Sequence, residues 1–339
     1  MAVTDPSPPP ASATSDRAAS VGEASDRTPW YRPSHRVQRA FAWAAVLANG
    51  GIAVTGATVR VTGSGLGCPT WPECHPGSLV PVQREGMAAF HQAIEFGNRT
   101  LTGIVLIASL GAFLTVWLAR PRRRRLLPIA AVGPAGVLFQ AIWGGVVVRL
   151  ELAWWTVAPH MLVSLVLLFC AIVLLVRLNE GDGPPQPTVP TPLRALTWCT
   201  VGVLVLLCVA GTLVTAAGPH GGDAQTPRLD VPVRALAQLH ADLMFAYLGL
   251  LVAMTVGFLA VRAPRKLPRR SWLLVGVTAA QGLIGLVQYA TGVPEALVVA
   301  HVLGATLLVG TAATVALATR ERPVNDAIPS DAAVTSARQ

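Results

Sequence analysis

Three histidines in long apolar stretches are the side chains best suited to chemistry: His160, His240 and His301. An ionisable group at membrane depth is costly, and it usually faces the interior of a helix bundle at a functional site. At about 1.5 Å per residue, His240 and His301 lie at similar depths in their stretches. Two such imidazoles can hold one haem iron from both sides. We therefore predict a haem between them; the alternative is histidines that only hydrogen-bond to neighbouring helices.

A second group of polar side chains precedes these histidines. Glu95 and Asn98 are three residues apart and share one face of a helix. A glutamate inside an apolar span is costly unless it is paired or used. It would suit proton transfer, or it could form an ion pair with Arg99 that only fixes helix packing. A site with His160 as its one strong ligand would leave one face of an iron open. The sequence thus predicts a cofactor half and a reaction half.

Two cysteines flank a short proline-containing loop, Cys68-Pro-Thr-Trp-Pro-Glu-Cys74. The loop is predicted on the oxidising side of a membrane, where a disulfide is plausible. A redox-active pair and two free thiols remain alternatives.

The composition places these groups in a membrane. The chain has 339 residues, of which 53% are apolar and 13% charged, against about 25% charged in a soluble domain. The apolar runs are long enough to cross about 30 Å of hydrocarbon. We predict an all-α integral membrane protein whose eight transmembrane helices lie near 41–59, 89–118, 127–148, 157–177, 194–216, 234–261, 271–290 and 296–318.

The basic residues indicate the orientation. Most lie beside the spans on one side, including the run Arg122 to Arg125, and the positive-inside rule makes that side cytoplasmic. The net charge of +9 comes in short patches that suit anionic lipid headgroups and not nucleic acid. We expect a multi-pass protein of the cell membrane with both termini in the cytoplasm.

The two halves of the chain repeat each other. Three pairs of residues are separated by 141 positions (281−140, 285−144 and 301−160). An even number of spans per unit gives parallel repeats, so we predict two pseudo-symmetric four-helix bundles. The matched pairs are Gln140 and Gln281, Gly144 and Gly285, and His160 and His301, and the segment Val54–Val59 resembles Val209–Val214.

The predicted organisation has five parts. They are a disordered cytoplasmic arm at 1–35, an N-terminal half at 36–180, a cytoplasmic linker at 181–193, a C-terminal half at 194–320 and a disordered tail at 321–339.

Over roughly residues 36–320 the sequence resembles the haem A synthase (COX15/CtaA) family. The glycine-rich loop with its cysteine pair is similar to that family's first outer loop, and eight spans in two halves also fit. Glu95-x-x-Asn98-Arg99 resembles its Glu-x-x-His-Arg motif. The family's other three histidines correspond to His160, His240 and His301.

The resemblance implies oxidation of the C8 methyl group of haem O to the formyl group of haem A, for use by terminal oxidases. His240 and His301 would then bind a haem b cofactor in the C-terminal half. His160 would help bind the substrate haem O in the N-terminal half, with Asn98 on the substrate side. Glu95 would be a catalytic acid, base or cation-stabilising group, and Cys68–Cys74 a disulfide. Haem O synthase and an electron donor are the implied partners, and a homo-oligomer is left open.

Asn98 departs from the family pattern, because asparagine is a poor iron ligand. Haem O would bind through His160 alone, or through His91 after a helix shift, or the N-terminal half would have an altered function. The other functions that the same histidines allow are a di-haem b-type electron-transfer protein of the quinol oxidoreductase kind and a haem carrier without chemistry.

Overall fold

The computed structural model describes residues 32–82 and 89–323. Within these residues, eight helices are long and apolar enough to cross a membrane, which confirms the predicted all-α membrane fold. The helices are α1 (His35–Val61), α2 (Ala89–Leu118), α3 (Leu127–Arg149), α4 (Trp154–Leu178), α5 (Thr191–Ala217), α6 (Val233–Ala260), α7 (Lys266–Ala290) and α8 (Glu295–Ala318).

Several helices begin before the predicted apolar run. Helix α1 starts at His35, where the Ser34 side chain accepts a hydrogen bond from the Val37 backbone N–H, the usual role of serine at a helix start. Helix α7 starts at Lys266. These first turns are polar, so hydropathy alone does not detect them.

Two short strands lie beside the ends of the bundle. β1 (Gln186–Pro187), in the predicted linker, pairs antiparallel with β2 (Arg320–Glu321). The predicted disordered arm and tail fall mostly on 1–31 and 324–339, which lie outside the described residues.

The internal repeat extends to the backbone of two turns. In the α3–α4 turn Glu151 and Leu152 have positive φ angles of 50° and 60°, and in the α7–α8 turn Gly292 and Val293 have 79° and 63°. Gly292 follows Glu151 by 141 residues, and Val293 follows Leu152 by the same number (292−151, 293−152). Positive φ is uncommon for residues other than glycine. A shared strained turn therefore supports a common origin of the two halves.

The two halves meet along helices that an approximate two-fold axis would exchange. Helix α8 packs against α1 and α4, and α4 packs against α5. Exchanging α1 with α5 and α4 with α8 converts the α1–α8 contact into the α5–α4 contact. The α4–α8 contact is converted into itself, so the axis passes between these two helices. Leu168, Ile172, Ala313 and Leu317 are buried there.

The interiors of the two halves differ in side-chain size. The N-terminal half buries small residues, including Ala42, Ala45 and Ala112, which allow close approach of helices in a membrane. The C-terminal half buries larger ones, including Tyr247 and Phe258. Many other large apolar side chains are exposed, with Ile107 and Leu47 among the most exposed. Such a periphery suits contact with lipid.

The loop after α1 and the loop after α5 contact each other. The Gly65 backbone N–H donates to the Gly222 carbonyl at 2.8 Å, and Arg60 Nη1 donates to the His220 carbonyl at 2.9 Å. The loop after α1 is therefore held from the C-terminal half as well as from its own.

Thr255→Val should lower the free energy of unfolding by about 0.6 kcal/mol, the average for an interhelical hydrogen bond in a membrane. The Thr255 hydroxyl bonds the Ser271 hydroxyl of α7 as well as the Leu251 carbonyl of its own helix. The matched control is Thr278→Val, because buried Thr278 donates only to Leu274 of its own helix. Unfolding in a denaturing detergent measures both, and equal losses would contradict the interhelical contribution.

Candidate functional site

The structure brings His240 of α6 and His301 of α8 together. Their ring centroids are 6.3 Å apart with an interplanar angle of 60°. A metal bond of about 2 Å to each nitrogen places two coordinating rings about 6 Å apart. His240 Nδ1 lies 3.1 Å from the Leu207 carbonyl. A neutral imidazole that donates from Nδ1 has Nε2 as its acceptor, so His240 can offer Nε2 to a metal.

Each of the three candidate histidines lies against a glycine of a neighbouring helix. A Cβ added at Gly211 or at Gly285 would lie 3.1 Å from Cε1 of His240 or His301, respectively. A Cβ at Gly144 would lie 3.6 Å from Cε1 of His160. Any side chain at Gly211 or Gly285 would therefore press on a histidine ring.

The predicted repeat of glutamine and histidine is visible as a repeated hydrogen bond. Gln140 Nε2 donates to the His160 carbonyl at 2.8 Å, and Gln281 Nε2 donates to the His301 carbonyl at 2.7 Å. Gln140 also donates to the Ser164 hydroxyl at 2.7 Å. The same bond thus fixes the histidine-bearing helix against its neighbour in both halves.

The site chemistry fits a haem better than a bare metal ion. Among the described residues, Nδ1 of His160 and of His301 is buried without a hydrogen-bond partner, so no protein hydrogen bond at that nitrogen fixes the ring. Within the described residues no three His, Cys, Asp or Glu side chains gather to hold a metal ion. A haem brings four ring nitrogens of its own and needs only axial ligands from the protein.

The N-terminal half does not repeat the histidine pair. Asn98 Oδ1 accepts a hydrogen bond from the Thr55 hydroxyl of α1 at 2.7 Å. His91 has a partner elsewhere, because its Nδ1 is 2.9 Å from the Ser64 hydroxyl in the loop after α1. The predicted sites are therefore unequal in structure as well as in sequence.

The loop after α1 contains the Cys68–Cys74 disulfide, the first of the three states that the sequence left open. Both cysteines are buried. Gly67 lets this loop approach α2, because a Cβ there would lie 2.6 Å from the His91 carbonyl oxygen. Trp71 packs against Gly145 of α3, where a Cβ would lie 2.6 Å from the indole.

Glu95 and Arg99 fasten that loop to α2. Glu95 Oε2 accepts from the Cys68 backbone N–H at 2.7 Å, and Oε1 pairs with Arg99 Nη2 at 2.6 Å. Arg99 in turn donates to the carbonyls of Thr70, at 2.7 Å, and of Cys68. The ion pair considered from the sequence is therefore present, and it fixes the loop as well as the helix.

A groove of about 540 Å³ runs along another face of α2, lined in part by Gln92, Phe96 and Thr100. At 3.6 residues per turn this face points away from Asn98. The groove is therefore separate from the histidine sites.

Comparison with known proteins identifies the chain's relatives. The family COX15-CtaA, described as cytochrome oxidase assembly protein, matches residues 39–222, which is more than half of the chain. The chain belongs to this family. The match to COX15-CtaA includes Glu95, Asn98 and His160 and ends before His240.

Individual relatives of this COX15-CtaA chain carry two names. One named heme A synthase, from Staphylococcus haemolyticus (strain JCSC1435), is 31% identical over 53% of this chain and 60% of its own length. Another of that name, from Methylobacterium sp. (strain 4-46), is 31% identical over 86% of this chain and 94% of its own length. A protein named protoheme IX farnesyltransferase, from Thermus thermophilus, is 29% identical over 78% of this chain but 45% of its own length.

Sequence reasoning missed two contributors to the site. Thr55 stands where the second repeat has Ala210 (210−55 = 155), and this difference was visible in the matched segments. The backbone carbonyl of Leu207 had no sequence signal, because a main-chain acceptor is the same at every residue.

Arg99→Gln should destabilise the protein by about 3–5 kcal/mol, because it leaves the buried Glu95 carboxylate without its cation. Adding Glu95→Gln should recover part of that loss, since no uncompensated charge then remains. The control is Lys266→Gln, which breaks the exposed pair with Glu321 and should cost at most about 1 kcal/mol. Unfolding free energies test this, and a small loss for Arg99→Gln would contradict it.

Proposed function

We propose that this chain is a haem A synthase, a membrane oxidoreductase that converts the C8 methyl group of haem O into the formyl group of haem A. The observation that carries the proposal is the difference between its halves. One half pairs two imidazoles at 6.3 Å. The other has a single candidate histidine, His160 on α4, with Asn98 and the buried Glu95 on α2. Relatives named heme A synthase support the same function.

In this proposal the C-terminal half holds haem b through His240 and His301. When bound, the haem supplies a redox centre that can pass electrons. The protein's part is to hold the two histidines: the Leu207 carbonyl contacts the His240 ring, Gln281 bonds the His301 backbone carbonyl, and a glycine adjoins each ring. Because the two histidine rings are already in place, the protein needs little rearrangement when the iron is oxidised or reduced.

The N-terminal half would bind the substrate, with His160 as iron ligand and Gln140 fixing the helix that carries it. Glu95 would act close to the reacting group. Both of its oxygens are engaged, by Arg99 and by the Cys68 N–H. We therefore propose that it serves as a fixed negative charge that stabilises developing positive charge, more than as a mobile proton carrier.

The proposal includes a setting. The protein would lie in the cell membrane with both termini in the cytoplasm and would receive haem O from a haem O synthase. The relative named protoheme IX farnesyltransferase supports that coupling. This chain matches less than half of that protein's length, so a segment similar to this chain is joined there to further sequence. An electron-transfer partner would complete the reaction, since converting a methyl to a formyl group is an oxidation.

His240→Ala and His301→Ala should each abolish the low-spin b-haem spectrum of the purified protein, because each removes one axial ligand. His91→Ala is the control, since His91 bonds the Ser64 hydroxyl and should leave the spectrum intact. Absorption spectra of oxidised and reduced protein measure the effect. An unchanged spectrum in either alanine variant would refute the assignment of ligands.

The direct test of the activity is haem extraction and chromatography from cells that make haem O. Haem A should accumulate only when the protein is present. Glu95→Ala should retain the b-haem spectrum and lose haem A. Glu73→Ala, between Cys68 and Cys74 in the loop after α1, should retain both. Bound haem b without haem A, in a folded protein supplied with an electron donor, would favour the electron-transfer or haem-carrier function instead.

A further inference from the structure

Equivalent backbone carbonyls in the two halves have different partners. In the C-terminal half the Leu207 carbonyl lies 3.1 Å from His240 Nδ1. Its equivalent is Ile52 (207−52 = 155), whose carbonyl oxygen lies 3.2 Å from the Thr55 hydroxyl oxygen. The same hydroxyl lies 2.7 Å from Asn98 Oδ1. In the N-terminal half the group beside the equivalent carbonyl is therefore Thr55, which contacts Asn98, the sequence counterpart of His240.

The space left by this exchange is open beside α1. A Cβ at Gly211 would lie 3.1 Å from the His240 ring, whereas a Cβ at its equivalent Gly56 (211−56 = 155) would have no atom within 4 Å. The asparagine side chain is shorter than that of histidine. The N-terminal half thus has room on this side of the site that the C-terminal half fills with an iron ligand.

The orientation of the Asn98 amide is fixed by the same contact. Because Oδ1 is held by Thr55, the amide nitrogen with its two N–H donors is the end available to the opened space. An amide nitrogen that carries hydrogens is a donor and not a metal ligand. Asn98 therefore suits a hydrogen bond to a ligand on an iron and does not suit coordination of the iron itself.

We propose that the N-terminal half is a five-coordinate haem site, in which His160 is the single protein ligand and Asn98, positioned by Thr55, donates a hydrogen bond to a small ligand at the free coordination position. This inference rests on the proposed function, because it takes haem O as the occupant. It also resolves the three alternatives that the sequence left at Asn98 in favour of His160 alone. The C-terminal half, saturated by two histidines, does not bind such a ligand.

Carbon monoxide tests the free position. The full-length protein is purified, loaded with haem O, reduced and exposed to the gas, and its absorption spectrum is recorded. Haem in the N-terminal half should form the carbon monoxide complex, while the b-haem keeps its low-spin spectrum. Asn98→His should remove carbon monoxide binding with haem content unchanged. The reciprocal His240→Asn should create a second haem that binds the gas.

The role of Thr55 has a separate readout. In Thr55→Val the amide loses its anchor, so the C–O stretching frequency of the bound gas should rise as the hydrogen bond from Asn98 weakens. Thr58→Val is the matched control, because Thr58 donates only to Val54 of its own helix and should leave the frequency unchanged. Equal frequencies in the wild type and Thr55→Val would remove Thr55 from the proposal.

Two outcomes would overturn the whole inference. One is a protein loaded with haem O whose haems are all low-spin and do not bind carbon monoxide. The other is failure of the N-terminal half to retain haem O when His160 is intact. If haem A is still produced in either case, the proposed activity stands and only this account of Asn98 fails. If haem A is absent and only haem b is bound, the proposed activity fails as well.

Discussion

A polar group in hydrocarbon has no water to bond, and this constraint accounts for most of the polar contacts inside the bundle. Gln140 and Gln281 bond the carbonyls of the helices that carry His160 and His301. Glu95 forms an ion pair with an arginine and accepts a hydrogen bond from a backbone N–H. The exceptions within the described residues include Nδ1 of His160 and of His301 and Oε1 of the same two glutamines, so several of them adjoin the candidate histidines.

The same constraint explains how the loop that contains the Cys68–Cys74 disulfide is attached to α2. The disulfide loop is held by Glu95 and Arg99 below it and by Trp71 against Gly145 beside it. The Cys68 N–H and the carbonyls of Cys68 and Thr70 thereby gain partners. Loss of either member of the ion pair would free the loop from α2. A role for Glu95 in chemistry and a role in structure are thus not exclusive.

Much of the fold could be predicted, because hydropathy and the spacing of histidines report on long helices directly. The eight helices and the repeat of Gln140 and His160 needed only the sequence. The left-handed residues Glu151 and Leu152 could not be predicted, because neither residue type favours that conformation. The partner of Asn98 was also missed, since its contact with Thr55 depends on how α1 and α2 pack and on no local pattern.

The α4–α8 contact on the pseudo-two-fold axis has a consequence for how such a site could evolve. If each half were a separate chain in a homodimer, one gene would encode both sites, and any change at the position of Asn98 would also change that of His240. Joining the halves in one chain removes this restriction. One copy can keep two histidines while the other keeps one, so the covalent link between α4 and α5 permits two dissimilar histidine sites within a nearly symmetric scaffold.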